Sequence, residues 1–325
     1  MLDTSTTSIG YKNIVLSHNK SILSTRADAS LEVKVKDKTL ACPVILANMP
    51  SCQTPQILSI FSIRKWPYVL NRLWGDEKTF EFVKRANEQH WKFISISVGV
   101  QPSDIILLNR IKDSGYRIDW LTIDVALIYN STFEDHIRQI RKLFPDVYLI
   151  AGNFSNQECV NWLYNLGVDC GKFGIGVSEL CRTRQYTGFG SDLMDFSKCV
   201  DVSKIDLILD GGITILDEER GEVAYGDVYK ALNLGAKWVM SSALFRWAHE
   251  LTDKDTGYIT QYGNSTAIAK GKDVHVEGAV KKYLPAYGIE KQMDTIADHL
   301  KSSISYAGIS SVADAYGSSK YKIVF

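Results

Sequence analysis

Short apolar segments rich in β-forming residues alternate along this chain with amphipathic segments of helical periodicity, and few folds are compatible with that order. Candidate helices cover residues 77–88, 134–143, 156–166 and 225–234. The eight β-rich segments are 44–48, 67–70, 93–98, 120–125, 147–151, 171–173, 207–209 and 238–240. The alternation predicts an α/β fold of the (β/α)8 TIM-barrel type, with a doubly wound open sheet as the alternative.

The composition fits one domain over residues 1–325, because 45% of the residues are hydrophobic and can bury a large core. The 37 Lys and Arg residues balance 37 Asp and Glu, which gives no general attraction to nucleic acid or to an anionic membrane. No apolar run reaches the roughly 20 residues of a membrane span, and residues 1–10 are polar rather than signal-like. The 6 cysteines show no CxxC pair. We therefore expect a cytoplasmic protein without zinc or disulfides.

Two segments are too long and too charged for ordinary loops between a strand and a helix. Residues 213–225 follow the seventh predicted strand and form either a lid or a solvent-facing hairpin. Residues 248–288 near the C-terminus are interpreted as a mobile flap over the site. Variable surface loops are the alternative for both segments.

One cysteine, Cys181, lies in a glycine-rich segment after the sixth predicted strand. Gly174 and Gly176 precede it and Arg182 and Arg184 follow it, so the backbone can approach a ligand beside cationic side chains. In a TIM barrel the carboxyl ends of the strands form the catalytic face. Cys181 is therefore a candidate nucleophile, with a buried structural cysteine as the alternative.

Other strand ends carry short motifs that occur in a fixed order along the chain. They are Ala47-Asn48-Met49, Asp124-Val125-Ala126, Lys172-Phe173-Gly174-Ile175-Gly176, Cys181-Arg182-Thr183-Arg184, Asp210-Gly211-Gly212 and Tyr262-Gly263-Asn264-Ser265. By these motifs nearly the whole chain resembles the family that contains IMP dehydrogenase and GMP reductase. The reductase branch is the more similar, because no segment fits the regulatory module that the dehydrogenases usually insert between early strands.

The resemblance implies a barrel enzyme, assembled as a homotetramer, that converts GMP to IMP and ammonia with NADPH. Cys181 would attack purine C2 to form a covalent adduct, and Thr183 would assist the departure of ammonia. The choice of NADPH over NADH follows from the resemblance alone, because no GxGxxG motif follows a strand.

The resemblance also assigns binding roles. Asp210 would hold the ribose hydroxyls, while Gly211 and Gly212 would lie against the ribose phosphate. The residues assigned to substrate binding are Met49, Ser178, Asn264 and Ser265. Asp124 and Ala126 would line the nicotinamide pocket, and Gly174 and Gly176 would bind a monovalent cation.

The predicted phosphate pocket departs from the family pattern. Glu179 stands where the family has a phosphate-binding serine, and a carboxylate there would disfavour a phosphate by on the order of a few kcal/mol. Ser242 and Ala243 replace an expected glycine pair after the eighth strand, and segment 213–225 enters beside Gly212. These departures argue against a conventional 5′-monophosphate.

The reductases also carry a flap glutamate that exchanges protons with the threonine. This chain has Lys282-Tyr283-Leu284-Pro285 at the matching place. Either Glu277 takes the role in a shifted register, or Tyr283 or Lys282 donates instead, or the relay is lost. His275 in the same segment is a further candidate for proton transfer.

Three functions are compatible with these observations. The first is a GMP reductase with an unusual phosphate pocket. The second is the same scaffold acting on another purine-like substrate: a base, a nucleoside, a deazapurine or an altered nucleotide. The third, a non-catalytic purine-binding protein, is disfavoured because Cys181, Thr183 and Asp210 are all present.

Overall fold

A parallel sheet of seven strands forms the centre of the computed structural model, which describes residues 8–271 and 276–325. In chain order the strands are β1 (Ile14–Leu16), β2 (Val33–Val35), β3 (Lys38–Leu40), β4 (Val44–Leu46), β5 (Ser95–Val98), β6 (Trp120–Asp124), β7 (Tyr148–Phe154), β8 (Cys170–Phe173), β9 (Asp206–Asp210), β10 (Ile215–Asp217), β11 (Glu222–Val223), β12 (Trp238–Ser241), β13 (Ile259–Tyr262), β14 (Val280–Tyr283) and β15 (Tyr321–Ile323).

Helices follow most of the central strands. They are α1 (Pro55–Ile63), α2 (Asp76–Glu88), α3 (Pro102–Asp113), α4 (Glu134–Leu143), α5 (Gln157–Asn165), α6 (Thr183–Thr187), α7 (Leu193–Val202), α8 (Gly226–Asn233), α9 (Ala267–Lys270) and α10 (Ile289–Ala307). The four helices predicted from periodicity correspond to α2, α4, α5 and α8. Within the described ranges, no helix combines the length and the apolar character needed to cross a membrane.

The order of strands in the sheet is β4-β12-β9-β8-β7-β6-β5. The first central strand, β4, thus pairs with the last, β12, whereas a doubly wound sheet is built outward from its middle. The sheet is therefore TIM-barrel-like, and the predicted parallel α/β architecture is confirmed.

The segment 67–70, predicted as the second strand, lies between the two edges of this sheet. It makes single parallel bridges, one from Tyr68 to Leu46 of β4 and one from Leu70 to Ile96 of β5. Pro67 has no N–H to donate, which limits the hydrogen-bond ladder that this segment can form. The segment 67–70 thus lies where the second barrel strand was predicted and bonds to both neighbouring strands, although its pairing is limited to single bridges.

Aromatic residues fill the amino-terminal end of the curled sheet. The ring of Trp120 lies 4.9 Å from that of Trp238 and 5.2 Å from that of Tyr148, measured between centroids. Trp120 and Trp238 begin their strands, so this packing leaves the carboxyl ends of the strands for polar side chains.

Both irregular segments contain an antiparallel hairpin. In segment 213–225, β10 pairs with β11, and in segment 248–288, β13 pairs with β14. The first segment thus contains a hairpin; its role as a lid or as a solvent-facing loop stays a prediction. His275, the proton-transfer candidate of the second segment, lies outside the described residues.

Candidate active site

A cavity of about 340 Å³ opens at the carboxyl ends of the central strands. It collects residues from at least six chain segments that are far apart in sequence. Those predicted from the sequence are Met49, Asp124, Ala126, Gly174, Gly176, Ser178, Cys181, Thr183, Asp210, Asn264, Ser265 and Glu277.

Cys181 lies on the wall of this cavity in the loop between β8 and α6. Its backbone N–H donates to the carbonyl oxygen of Ser178 at 3.0 Å, and its backbone forms an antiparallel bridge with Gly278 of the flap. The side chain is half-buried, whereas the other 5 cysteines are buried. Cys181 is therefore the cysteine that a ligand in the cavity can reach.

A line of hydrogen bonds leads from Cys181 to a flap carboxylate. The Cys181 thiol donates to Thr183 Oγ1 at 3.3 Å, and the Thr183 hydroxyl donates to Glu277 Oε2 at 2.7 Å. The Arg182 N–H donates to the Glu277 carbonyl oxygen at 2.7 Å, which holds the flap at this position. The structure thus brings Glu277, the shifted-register candidate, to Thr183.

Tyr283, another predicted proton donor, lies outside this line of hydrogen bonds. Its hydroxyl donates to Glu179 Oε1 at 3.2 Å and accepts from Arg246 Nη1 at 3.1 Å. Neither of these partners belongs to the line from Cys181 to Glu277. The structure therefore groups Tyr283 with the predicted phosphate pocket.

A buried lysine joins the two carboxylates that were assigned to cofactor and ribose. Lys172 Nζ lies 2.7 Å from Asp124 Oδ1 and 3.5 Å from Asp210 Oδ2. Asn153 Nδ2 also donates to Asp210 Oδ2 at 2.9 Å. These contacts fix both carboxylates at the floor of the cavity.

The ion pairs overcome the effect of burial on these groups. Burial alone would raise the pKa of the Asp124 carboxyl, but the charge of Lys172 lowers it below its ordinary value. Burial would likewise lower the pKa of Lys172, but Asp124 and then Asp210 raise it. Asp124 and Lys172 are therefore an ionised pair at neutral pH.

The cofactor candidates Asp124 and Ala126 lie on the side of the cavity next to Arg72. The Arg72 Nε–H donates to the Asp124 carbonyl oxygen at 3.0 Å. Ala126 lines the cavity and is exposed, and its side chain is only a methyl group. It therefore forms a small apolar surface that a ligand can contact. A small apolar surface next to a guanidinium and a carboxylate fits a polar flat ring such as nicotinamide.

The substrate candidates from the flap line the wall between β4 and Cys181. Asn264 Nδ2 donates to the carbonyl oxygen of Asn48 at 3.2 Å, and the Glu277 N–H donates to the Ser265 carbonyl oxygen at 3.0 Å. The Oδ1 atom of Asn264 is buried and has no hydrogen-bond partner within the described ranges. A ligand that donates a hydrogen bond would satisfy this atom.

A second cavity of about 350 Å³ adjoins the first on the side of Gly211 and Gly212. Both glycines have positive φ, +88° and +81°, and an added Cβ at Gly212 would lie 3.3 Å from the ring of Tyr11. A side chain at these two positions would thus be strained. The predicted residues Ser178, Glu179, Ser242 and Ala243 line this second cavity as well.

Glu179 is held by two cations in the second cavity. It is paired with the guanidinium of Arg246, and its Oε2 lies 3.3 Å from Lys281 Nζ. Burial alone would raise the pKa of the Glu179 carboxyl, but Arg246 and, to a lesser extent, Lys281 lower it. Lys281 also lies 2.6 Å from Glu218 Oε1, which ties the 213–225 hairpin to the flap.

The structure adds functional candidates that the sequence reasoning missed, chiefly Lys172 and Arg246. Each has a signal in the sequence, because each is a charged residue inside an apolar run: Lys172 in β8, and Arg246 within 243–248. Both are almost fully buried, at 2% and 1% exposure. A buried charge without a visible partner in sequence indicates a partner that only the fold supplies.

No cluster of His, Cys, Asp or Glu in residues 8–271 and 276–325 is placed to hold a metal ion. Gly174 and Gly176, assigned to a monovalent cation, have φ of +137° and +69° and lie at the start of the Cys181 loop. The cation itself stays a prediction.

The fold and the site together define a class: a TIM-barrel-like α/β enzyme with a cysteine at the carboxyl face of its sheet. Residues 8–323 match the sequence profile of the IMP dehydrogenase / GMP reductase domain. The chain therefore belongs to the IMP dehydrogenase / GMP reductase family, and it is an oxidoreductase of that family.

Several curated relatives are similar over most of their length. The chain is 30% identical to the GMP reductase of Staphylococcus carnosus over 308 residues, which cover 92% of this chain and 91% of the relative. It is 31% identical to that of Helicobacter pylori over 310 residues and 32% identical to that of Oenococcus oeni over 308, with the same coverage of both chains. The family predicted from the motifs is confirmed.

Proposed function

We propose that the protein removes the 2-amino group of a guanine base with hydride from NADPH, through a covalent adduct on Cys181. With GMP the product is IMP. The observation that carries the proposal is the line of hydrogen bonds from Cys181 through Thr183 to Glu277. The relatives named GMP reductase support it.

The thiol proton is the first group to move. It passes from Cys181 through the Thr183 hydroxyl to the Glu277 carboxylate, and the sulfur adds to purine C2. Glu277 then returns the proton through Thr183 to the amino group on C2. The C2–N bond breaks, ammonia leaves with the former thiol proton, and the purine stays attached to sulfur.

When bound, NADPH supplies the hydride that reduces C2. Arg72, Asp124 and Ala126 are the residues that would hold its nicotinamide beside the purine, since they line one side of the cavity. After reduction the C2–S bond breaks and Cys181 leaves as a thiolate. The reaction thus takes up one hydride, which reduces C2, and one proton, which restores the thiol. At neutral pH the released ammonia binds a further proton.

Asp210 is the residue we propose for the ribose. Its carboxylate is fixed by Asn153 and Lys172, so it presents oriented acceptors to two hydroxyl donors. A sugar held there points its base toward Cys181 and its 5′ carbon toward Gly211. Holding the purine in this orientation relative to the cysteine and the cofactor contributes much of the rate enhancement in a two-substrate reaction.

Four further features belong to the same proposal. The strand segments complete an eight-membered barrel through 67–70, and segment 248–288 covers the site as a flap. The protein forms homotetramers, and a monovalent cation binds at Gly174 and Gly176. The contact between Arg182 and Glu277 supports the role of the flap, because it ties that segment to the cysteine loop.

The proposed function is tested by following NADPH oxidation and ammonia release in parallel. Wild-type protein and Cys181→Ala are each offered a guanine nucleotide and a guanine nucleoside. We expect equal amounts of NADP⁺ and ammonia from the wild type and neither from the variant. NADPH oxidation that persists in Cys181→Ala would refute the proposal.

A further inference from the structure

The second cavity lies where a substrate's 5′ end would extend. Val177 and Ser178 line both cavities, so the two lie side by side. Asp210 faces the first cavity and Gly211, its neighbour in sequence, faces the second. A group attached to a sugar at Asp210 therefore enters the second cavity.

This cavity has no free positive charge to offer among the described residues that line it. Its one guanidinium, on Arg246, is already paired with Glu179 and donates from Nη2 to Ser242 Oγ at 3.3 Å. Lys281 at its edge contacts the carboxylates of both Glu179 and Glu218. The charges of the two cations and the two carboxylates therefore sum to zero.

A phosphate in this cavity would meet two carboxylates and two cations that are already used. To reach the guanidinium it would have to displace Glu179 from Arg246, and only Lys281 would then compensate the charge of this half-buried carboxylate. An uncharged hydroxyl makes no such demand. It can donate to Glu179 and accept from the Ser242 hydroxyl without disturbing the ion pairs.

We infer that the second cavity receives an uncharged 5′ end, so that the protein acts on a purine nucleoside in preference to its 5′-monophosphate. Glu179 is the residue that sets this preference, since it occupies the guanidinium that a phosphate would need. The inference rests on the proposed function for the chemistry at the base and adds the class of substrate.

The test is a calorimetric titration with guanosine and with GMP. We expect the wild type to bind guanosine at least about tenfold more tightly than GMP. Glu179→Gln removes the competing charge and frees Arg246, so it should shift the ratio of the two dissociation constants toward GMP by about tenfold or more. Glu218→Gln should shift it in the same direction by less.

Glu219→Gln is the matched control, because Glu219 is an exposed residue beside Glu218 that lines neither cavity. Its ratio should equal that of the wild type. A wild type that prefers GMP, a ratio unchanged in Glu179→Gln, or no binding of either ligand would overturn the inference. A preference for GMP would mean that Arg246 exchanges Glu179 for the phosphate.

NADPH oxidation in the same samples separates this inference from the proposed function. Tight binding of guanosine without NADPH oxidation would refute the reductase chemistry and leave the assignment of the second cavity standing. Faster NADPH oxidation with GMP than with guanosine at low substrate concentration would support the reductase chemistry and refute the assignment of the second cavity.

Discussion

Replacing Lys172 by methionine tests how the floor of the site is held together. The side chain is 3% exposed and contacts two carboxylates, Asp124 at 2.7 Å and Asp210 at 3.5 Å. Methionine keeps most of the volume and removes the charge. Because Asp124 is then left buried without its partner, we expect Lys172→Met to lower the free energy of unfolding by about 3–5 kcal/mol at neutral pH.

The stability difference between the wild type and Lys172→Met should depend on pH in a definite direction. In the wild type the pKa of Asp124 is depressed, so its contribution to stability is present above the unfolded-state pKa and is lost as the pH falls through the folded-state pKa. In Lys172→Met the main opposing charge is gone, and burial, which raises that pKa, is opposed chiefly by the more distant Arg72. Protonation of Asp124 therefore costs the variant less stability than it costs the wild type. The difference in stability between the two proteins should therefore shrink as the solution becomes acidic.

Urea denaturation followed by tryptophan fluorescence measures this difference at neutral and at mildly acidic pH. Lys237→Met is the matched control, because Lys237 pairs with Asp206 at 2.8 Å while both side chains are about one third exposed. Its effect should stay within about 1 kcal/mol. A loss below about 1 kcal/mol for Lys172→Met, or one that does not change with pH, would refute the reasoning.

Further predictions concern the chemistry. Glu277→Gln should lower kcat for NADPH oxidation by about 10²–10⁴-fold, and the loss in Tyr283→Phe should be at least about tenfold smaller; equal losses would contradict the relay. Asp210→Asn should raise KM for a nucleoside by roughly tenfold, more than it lowers kcat; an unchanged KM would contradict its binding role. Iodoacetamide should label Cys181 first in peptide mass spectra, because the other cysteines are buried and burial raises the pKa of Cys52 to about 11; prior labelling of Cys52 would contradict this.

Local patterns in the sequence were enough to place most elements of the fold. The predicted helix 134–143 has the same bounds as α4, because its apolar residues repeat with helical spacing and acidic residues begin it. The pairing of segment 67–70 is harder to predict from local sequence. Its apolar residues resemble a strand, but Pro67 lacks a donor, and pairing depends on two neighbours that the segment itself does not specify.

The site was predictable where function depends on one residue in a recognisable loop, as at Cys181. Charge compensation was not, because Glu179 and Arg246 are 67 positions apart and meet only when two loops pack together. The sequence therefore showed a carboxylate in a phosphate pocket but not the guanidinium that neutralises it. Glu277 was one of several candidates for the same reason, since the path of the flap decides which residue reaches Thr183.

The most direct test of the central claim is to find the purine on Cys181. Protein mixed with its guanine substrate is quenched in acid and digested, and the peptide with Cys181 is weighed by mass spectrometry. We predict an added mass equal to that of the substrate minus ammonia, on this cysteine and on no other. Turnover by a protein that never carries this adduct, and that survives Cys181→Ala, would contradict the account.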